Sequence, residues 1–154
     1  MTLTYGADIG AGAMRESHAG TTTNIYPGFA FGADAGLAIS PRILVSLRLL
    51  AVRGGDAQVE GDFHHATATF LGPRIELRPS SSLELGLGVG AGAFDDPRRV
   101  GYAVDLQAGY AIWRAGHDEM TVSVESMLSV VPQSEARDSR DLLDVALLVG
   151  YRHR

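Results

Sequence analysis

Apolar and polar positions alternate along most of this chain with a period of two residues. The pattern is clearest from Leu83 to Ala93, where leucine, valine and alanine occupy every second position, with Glu84 and four glycines between them. Side chains of a β-strand point alternately to opposite faces, so this stretch predicts a strand with one apolar face and one nearly bare face. A strand in a water-soluble sheet would carry polar residues on that second face. A narrow closed barrel in lipid, apolar outside and small or polar inside, accounts for the pattern.

The same alternation predicts eight strands in all. They cover residues 2–14, 28–39, 43–51, 67–77, 83–93, 102–113, 122–128 and 143–151. Polar segments predict long loops at 15–25, 53–66 and 131–141, intermediate connections at 95–99 and 114–119, and short turns at 40–42 and 79–82. Pro73 lies within the fourth strand and cannot donate a hydrogen bond to a sheet ladder, so we expect a β-bulge there.

Charged residues within the predicted strands all fall on the face opposite to the apolar one. They are Asp8, Asp34, Arg48, Arg74, Glu76, Glu84, Asp105, Glu125 and Asp144. A soluble barrel has the reverse arrangement, with charges outside and an apolar interior. We therefore predict an all-β fold, an eight-stranded antiparallel up-and-down transmembrane β-barrel that residues 1–154 form as a single domain, with these nine residues in a polar interior network.

Composition narrows the function classes. The net charge of −5 argues against nucleic-acid binding, which needs a basic footprint. The absence of cysteine excludes disulfides and thiolate metal sites. No run of about 18 apolar residues is present, so a transmembrane helix is not expected. The segment Met1–Tyr5 has neither the charged nor the apolar region of a signal peptide, which predicts either a cytosolic protein or the mature form of an exported one.

In the number of its strands, the placement of its charges and the lengths of its loops, the chain resembles the small eight-stranded outer-membrane β-barrels. This class includes the transmembrane domain of outer-membrane protein A. The resemblance is architectural and covers nearly all of residues 2–151. It implies a Gram-negative outer membrane, contact with its lipids, periplasmic short turns and chain ends, and exposed loops at 15–25, 53–66 and 131–141 that contact surface or envelope partners. Tyr151 matches the terminal aromatic residue of that class, although 152–154 extend beyond it.

The inward charges allow two interpretations. In the first, Arg48 and Arg74 bridge the carboxylates in a closed polar plug, because an eight-stranded barrel is just wide enough for its side chains. In the second, the more numerous carboxylates line a narrow path for protons, water or small cations. A soluble ligand-binding barrel is a third alternative and requires apolar residues inside. We expect the first, a non-enzymatic protein with a role in envelope structure or surface interaction.

Other candidate chemistry is weak. His64 and His65 lie near Asp56 and Asp62, but adjacent residues on an extended chain point apart, so no metal site is expected. Strands rather than helices follow the glycine-rich stretches, so no phosphate-binding loop or cofactor is expected. Ser126 follows Glu125, yet no histidine is predicted at its height to complete a catalytic set. Five aromatic residues suit the girdles at the membrane interfaces: Tyr5, Tyr102, Tyr110, Trp113 and Tyr151.

Overall fold

The structure, a computed structural model, describes the backbone of residues 1–18, 21–55, 65–94, 96–132 and 139–154. Side chains are described for residues 1–15, 25–55, 66–94, 100–130 and 142–154. Eight strands follow one another along the chain: β1 (Thr2–His18), β2 (Thr21–Ser40), β3 (Ile43–Gly55), β4 (His65–Leu77), β5 (Leu83–Phe94), β6 (Asp96–Ala115), β7 (Asp118–Pro132) and β8 (Ser139–His153).

Each strand pairs antiparallel with the next, and β1 also pairs with β8, which closes the barrel. The predicted eight-stranded antiparallel fold is therefore confirmed. Closure leaves no edge strand, so the backbone hydrogen bonds are satisfied within the sheet. Among the described residues no helix is long and apolar enough to cross a membrane.

The polarity of the barrel is inverted relative to a soluble protein. On β5 the side chains of Leu85, Leu87 and Val89 are exposed by 42%, 54% and 56%, whereas Glu84 is fully buried. All five aromatic residues predicted for the girdles lie on the outer face, each about half-exposed or more. Within the strand bounds predicted from the sequence, the apolar face therefore lies outward and the charged side chains lie inward, as the alternation predicts.

The two ends of the barrel differ. One end carries the turns between β2 and β3, β4 and β5, and β6 and β7, together with both described chain ends, and we call it the short-turn end. Gly116 occupies the last of these turns with φ of 61°, a left-handed conformation that glycine adopts without strain. The other end, which we call the far end, carries the connections at 19–20, 56–64, 95 and 133–138, all outside the described residues.

The strands extend further toward the far end than the sequence predicts. Pairing continues through part of each predicted loop, with β1 reaching His18, β3 reaching Gly55, β7 reaching Pro132 and β6 beginning at Asp96. The bounds 15–25, 53–66, 131–141 and 95–99 were therefore too wide. Backbone hydrogen bonds hold these hairpins together where the side chains no longer alternate, because the ladder itself does not depend on side-chain polarity.

The bulge expected at Pro73 is absent. The ladder from β4 to β5 passes from the pair Leu71 and Ala91 to the pair Arg74 and Gly88 without a change in register. No pairing forms between them, where Pro73 has no N–H to donate. The backbones come very close there, since a Cβ on Gly90 would stand 2.6 Å from the Gly72 Cα. Glycine at both positions permits this close approach, because a Cβ on either residue would overlap the backbone of the other strand.

A bulge occurs instead in β6. The register with β7 shifts between Ala111 and Trp113, so that strict alternation fails at this point. Alternation would place Trp113 in the lumen, but its side chain is 48% exposed on the outer face. Arg114 instead contacts the buried Glu119. Bulges are common at the rims of barrels, where they redirect a side chain.

Candidate functional site

The lumen contains three layers. From the short-turn end to the far end they are a rim cluster of charged side chains, a central cluster of charged side chains and an apolar layer. The central cluster is built around Arg48 and Arg74. The second cluster, which we call the rim cluster, is built around Arg78, Arg114, Arg152 and Arg154 at the short-turn end. The apolar layer occupies the far part of the lumen with side chains from all eight strands: Met14, Ala30, Leu50, Val52, Ala66, Ala68, Phe70, Phe94, Ala103, Met127, Leu142, Ala146 and Leu148.

Arg48 is fully buried and holds two carboxylates at once. Its Nη1 and Nη2 donate to the two oxygens of Asp8 at 2.6 and 3.0 Å. Its Nε and Nη2 donate to the two oxygens of Glu125 at 2.9 and 2.5 Å. Such charge-assisted bidentate pairs are the strongest hydrogen bonds that side chains make. The guanidinium fits because Gly32 lies beside it, where a Cβ would overlap its atoms.

Arg74 is also buried, but its contacts are longer. Its closest carboxylate oxygen is Oε1 of Glu125 at 3.4 Å, and further carboxylate oxygens stand 3.7–3.8 Å away on Asp34, Glu76 and Asp105. Neither Nε nor Nη2 of Arg74 has a hydrogen-bond partner among the described residues, and the same is true of both Asp105 oxygens. Arg74 therefore balances charge for several carboxylates without binding any one of them closely.

The glycines of β5 provide the space for these large side chains. A Cβ on Gly86 would lie 3.3 Å from the Arg74 Cδ, and one on Gly88 would lie 3.1 Å from the Phe70 Cζ. The bare face of the strand thus faces the bulkiest inward residues of β4. The inward face of β5 carries glycines because the side chains of Arg74 and Phe70 on β4 occupy the space in front of it.

The rim cluster joins four arginines to three buried glutamates. Arg152 donates to Glu76 at 2.6 Å, Arg78 donates to Glu119 at 2.6 and 3.1 Å, and Arg78 also pairs with Glu84. Arg154 reaches Glu119 at 2.5 Å. Asp34 links the two clusters, because its Oδ1 lies 3.4 Å from Arg152, 3.7 Å from Arg74 and 3.9 Å from Arg48.

The sequence analysis placed nine residues in the interior, and eight of them have ion pairs there: Asp8, Asp34, Arg48, Arg74, Glu76, Glu84, Asp105 and Glu125. The ninth, Asp144, stands apart. Its cross-strand partners are Met14 and Met127, it is 1% exposed, and neither of its oxygens has a hydrogen-bond partner among the described residues. The structure therefore does not bring Asp144 into the charge network.

Sequence reasoning missed five rim residues, namely Arg78, Arg114, Glu119, Arg152 and Arg154. Strands four and eight were predicted to end at 77 and 151, just before these arginines begin. A signal was present, because the period of two continues from Glu76 to Arg78 and from Gly150 to Arg152 and Arg154. Arg114 had no such signal, since the bulge in β6 determines where it points.

The remaining candidates do not form a site. Ser126 lies on the outer face and Glu125 in the lumen, so the two do not form a catalytic pair. His64, Asp56 and Asp62 fall outside the described residues, as does the side chain of His65. Within the described part of the chain, no group of three or more histidine, aspartate or glutamate side chains could hold a metal ion.

Solved structures with the same fold are small outer-membrane β-barrels, in agreement with the resemblance inferred from the sequence. Ail, the attachment invasion locus protein of Yersinia pestis, in complex with the heparin analogue sucrose octasulfate, is 16% identical over 99% of each chain with a TM-score of 0.61. Neisserial surface protein A is 11% identical, with 98% of this chain and 96% of that chain covered and a TM-score of 0.64. OprG from Pseudomonas aeruginosa is 10% identical, with the same coverage and a TM-score of 0.50.

No protein-family model matches the sequence, and a comparison with curated protein sequences finds no match. At these low identities the structural similarity shows the fold alone. The function must therefore be argued from the outer surface and the lumen of this chain.

Proposed function

We propose that this chain is an integral protein of a bacterial outer membrane, without enzymatic activity, whose lumen is closed and whose far-end loops contact surface or envelope partners. The observation that carries the proposal is the inverted polarity. Leu87 on the outer face is 54% exposed while Arg48 and Glu125 inside are fully buried. Exposed apolar side chains that surround the barrel are costly in water and favourable in lipid.

The same observation argues against a soluble ligand-binding barrel. That alternative needs an apolar interior, whereas the centre and short-turn end of this lumen are filled by ion pairs. An apolar ligand would have to displace Arg48 from two carboxylates, which would leave charges buried without partners.

The closed plug is favoured over the narrow pore by the apolar layer. Phe70, Leu50 and Leu148 are buried by 99% or more, and they belong to the layer that lies between the central cluster and the far end. An ion would lose its hydration in this layer and gain no polar partner from these three side chains, so the layer opposes conduction. The surplus of carboxylates in the central cluster is the observation that keeps the pore as the second candidate.

A role in surface interaction is supported by the topology. Every far-end connection is on the side that the outer-membrane orientation exposes to the cell exterior. Formation of a complex between Ail and a heparin analogue agrees with such a role for a barrel of this fold. The loop segments around 15–25, 53–66 and 131–141 are thus the proposed contact regions for these partners. The lipids of the outer membrane would contact the apolar side chains on the outer face of the strands.

Orientation and location can be tested together by cysteine labelling, because the chain has no cysteine of its own. Gln58→Cys lies in a far-end connection and Ser81→Cys in a turn of the short-turn end. On intact cells a membrane-impermeant maleimide should label only Gln58→Cys, and both variants should react after lysis. Label on Ser81→Cys in intact cells, or recovery of the protein in the soluble fraction, would contradict the proposal.

A further inference from the structure

Asp144 stands between two methionines on the inner face of the barrel, in a group of three that we call the methionine row. Its cross-strand partner on β1 is Met14, and its cross-strand partner on β7 is Met127. Met14 and Met127 are 0% exposed and Asp144 is 1% exposed. Side chains of directly paired residues have their Cβ atoms about 4.5–5.5 Å apart. Two thioether sulfurs can therefore lie beside one buried carboxyl group.

The carboxyl group of Asp144 has no partner within the described part of the chain. Neither of its oxygens takes part in a hydrogen bond there. The other eight inward charged residues predicted from the sequence all have ion pairs, as described above. A buried carboxylate without a partner is costly, and an ion bound beside it would supply the partner that the described side chains do not.

The neighbours on both sides of the methionine row leave this charge to be balanced. On β6 the row continues with Asp105, whose Oδ2 lies 3.8 Å from Arg74, so its charge belongs to the central cluster. On β2 the row continues with Tyr26, which packs against the apolar layer. Among the described side chains, Asp144 is thus the carboxylate of this row that has no arginine beside it.

We propose that the methionine row binds one Cu(I) ion, with the sulfurs of Met14 and Met127 and a carboxylate oxygen of Asp144 as ligands. Thioether sulfur is a soft ligand that selects Cu(I), whereas Mg²⁺ and Ca²⁺ prefer oxygen ligands. One monovalent ion also neutralises one carboxylate, while a divalent ion would leave a positive charge in the apolar layer. Methionine has three rotatable bonds, so both sulfurs can turn toward an ion beside the carboxylate.

The site is reached from the far end and does not form part of a path through the barrel. Ser129 is the next inward residue of β7 toward the far end, and its buried hydroxyl group has no hydrogen-bond partner among the described residues. Toward the short-turn end, the close ion pairs of Arg48 with Asp8 and Glu125 occupy the lumen. The proposal is therefore for binding of the ion and not for its conduction.

The test uses the purified protein in detergent micelles, with carbon-13 in the methionine methyl groups. The chain has four methionines, and Met1 and Met120, which are 93% and 39% exposed, serve as internal controls. Ag(I), a soft monovalent ion used as the probe, is titrated in chloride-free buffer. The NMR signals of Met14 and Met127 should shift and saturate at one equivalent, while those of Met1 and Met120 stay in place. Cu(I) kept reduced with ascorbate should cause the same two shifts, and Zn²⁺ should cause none.

Three variants provide the matched comparison. Asp144→Asn removes the charge at nearly constant size and should weaken Ag(I) binding about tenfold or more, because even groups that only support metal ligands contribute about 10–100-fold. Met127→Leu conserves the volume of the side chain and should also weaken binding. Met120→Leu makes the same change on the outer face and should leave the affinity unchanged. Ag(I) should raise the unfolding temperature of the wild type more than that of Asp144→Asn.

Four results would each overturn the proposal. They are the absence of saturable shifts at Met14 and Met127, equal shifts at Met120, equal affinity for Ag(I) in Asp144→Asn, and an equal response to Zn²⁺. The proposal does not depend on the orientation of the barrel, so failure of the cysteine-labelling experiment would leave this binding result intact.

Discussion

Arg48 on β3 and Glu125 on β7 meet inside the barrel through two parallel hydrogen bonds, Nε to Oε1 at 2.9 Å and Nη2 to Oε2 at 2.5 Å. Three strands lie between β3 and β7 in either direction around the closed sheet, so the pair connects opposite walls. Both side chains are fully buried. Such a pair braces the barrel across its width, in addition to the backbone ladders that hold neighbouring strands.

Loss of one partner of this pair should be strongly destabilising. We expect Arg48→Ala to lower the free energy of unfolding by about 3–5 kcal/mol, because Glu125 and Asp8 remain as buried charges without compensation. The double variant with Arg48→Ala and Glu125→Ala should lose less free energy of unfolding than the sum of the losses in the two single variants. Urea unfolding in lipid vesicles, followed by the fluorescence of the single tryptophan Trp113, measures these differences.

The control for this prediction is Arg53→Ala, on the outer face of β3, which should change stability by less than about 0.5 kcal/mol. Equal stability of the wild type and Arg48→Ala would show that the central cluster does not hold the barrel together. Strict additivity of the two alanine substitutions would show that Arg48 and Glu125 do not act as a pair.

The direction of each side chain was largely predictable from the sequence, because one rule, the period of two, decides it for every regular strand. Leu87 is outside and Arg48 inside for this reason alone. The exceptions are local. Trp113 lies outward since a bulge adds one residue to β6, and its position depends on pairing with β7, which no single segment reveals. The rim arginines lie beyond the last apolar residue of their strands, where the signal used to define a strand ends.

The contacts within the lumen were less predictable than its lining. Carboxylates and arginines on inward positions could be named, but their partners depend on which strands face each other and on the stagger of the sheet. Asp144 illustrates the limit. Like Glu125, it occupies an inward position in the alternating pattern of its strand. Its height in the barrel, however, places it beside Met14 and Met127 rather than beside an arginine.

The outer face should respond to charge according to depth. Leu87 lies near the middle of β5 and Leu3 near the short-turn end of β1, and their side chains are 54% and 65% exposed. In vesicles we expect Leu87→Arg to cost about 2–4 kcal/mol and Leu3→Arg about 0–1 kcal/mol, because an arginine near the bilayer midplane cannot reach water. Equal and small effects of both substitutions in the unfolding assay would contradict a membrane position for this surface.

Asp144 should be a source of instability. Its carboxyl group is buried in the apolar layer without a hydrogen-bond partner among the described residues. We expect Asp144→Leu to raise the free energy of unfolding by about 1–3 kcal/mol, since the cost of burying an unpaired polar group is removed. The matched Asp34→Leu, at a carboxylate that touches Arg48, Arg74 and Arg152, should lower it. A loss of stability in Asp144→Leu would show that the carboxyl has a partner in the folded barrel.

Glycines of the wall should differ according to the space around them. A Cβ added to Gly90 would stand 2.6 Å from the Gly72 Cα. A Cβ added to Gly109 would have the Ser123 Cβ as its closest neighbour, at 3.2 Å. We expect Gly90→Ala to cost about 1–3 kcal/mol through overpacking against backbone. Gly109→Ala should be close to neutral, because Ser123 can shift and alanine favours the strand more than glycine does. The unfolding assay compares the two, and similar values would mean that the wall at Gly90 relaxes freely.

The lumen should be electrically silent. In planar bilayers we expect the purified barrel to show no steady conductance, and Glu125→Gln and Asp105→Asn should remain silent as well. The reason is the apolar layer, in which the buried side chains of Phe70, Leu50 and Leu148 offer no polar group to a hydrated ion. Conductance in the wild type that falls in Asp105→Asn would instead identify the inward carboxylates as the lining of a cation path. Conductance that is the same in the wild type and both carboxylate variants would point to a leak around the barrel, because a path through the lumen must pass both residues.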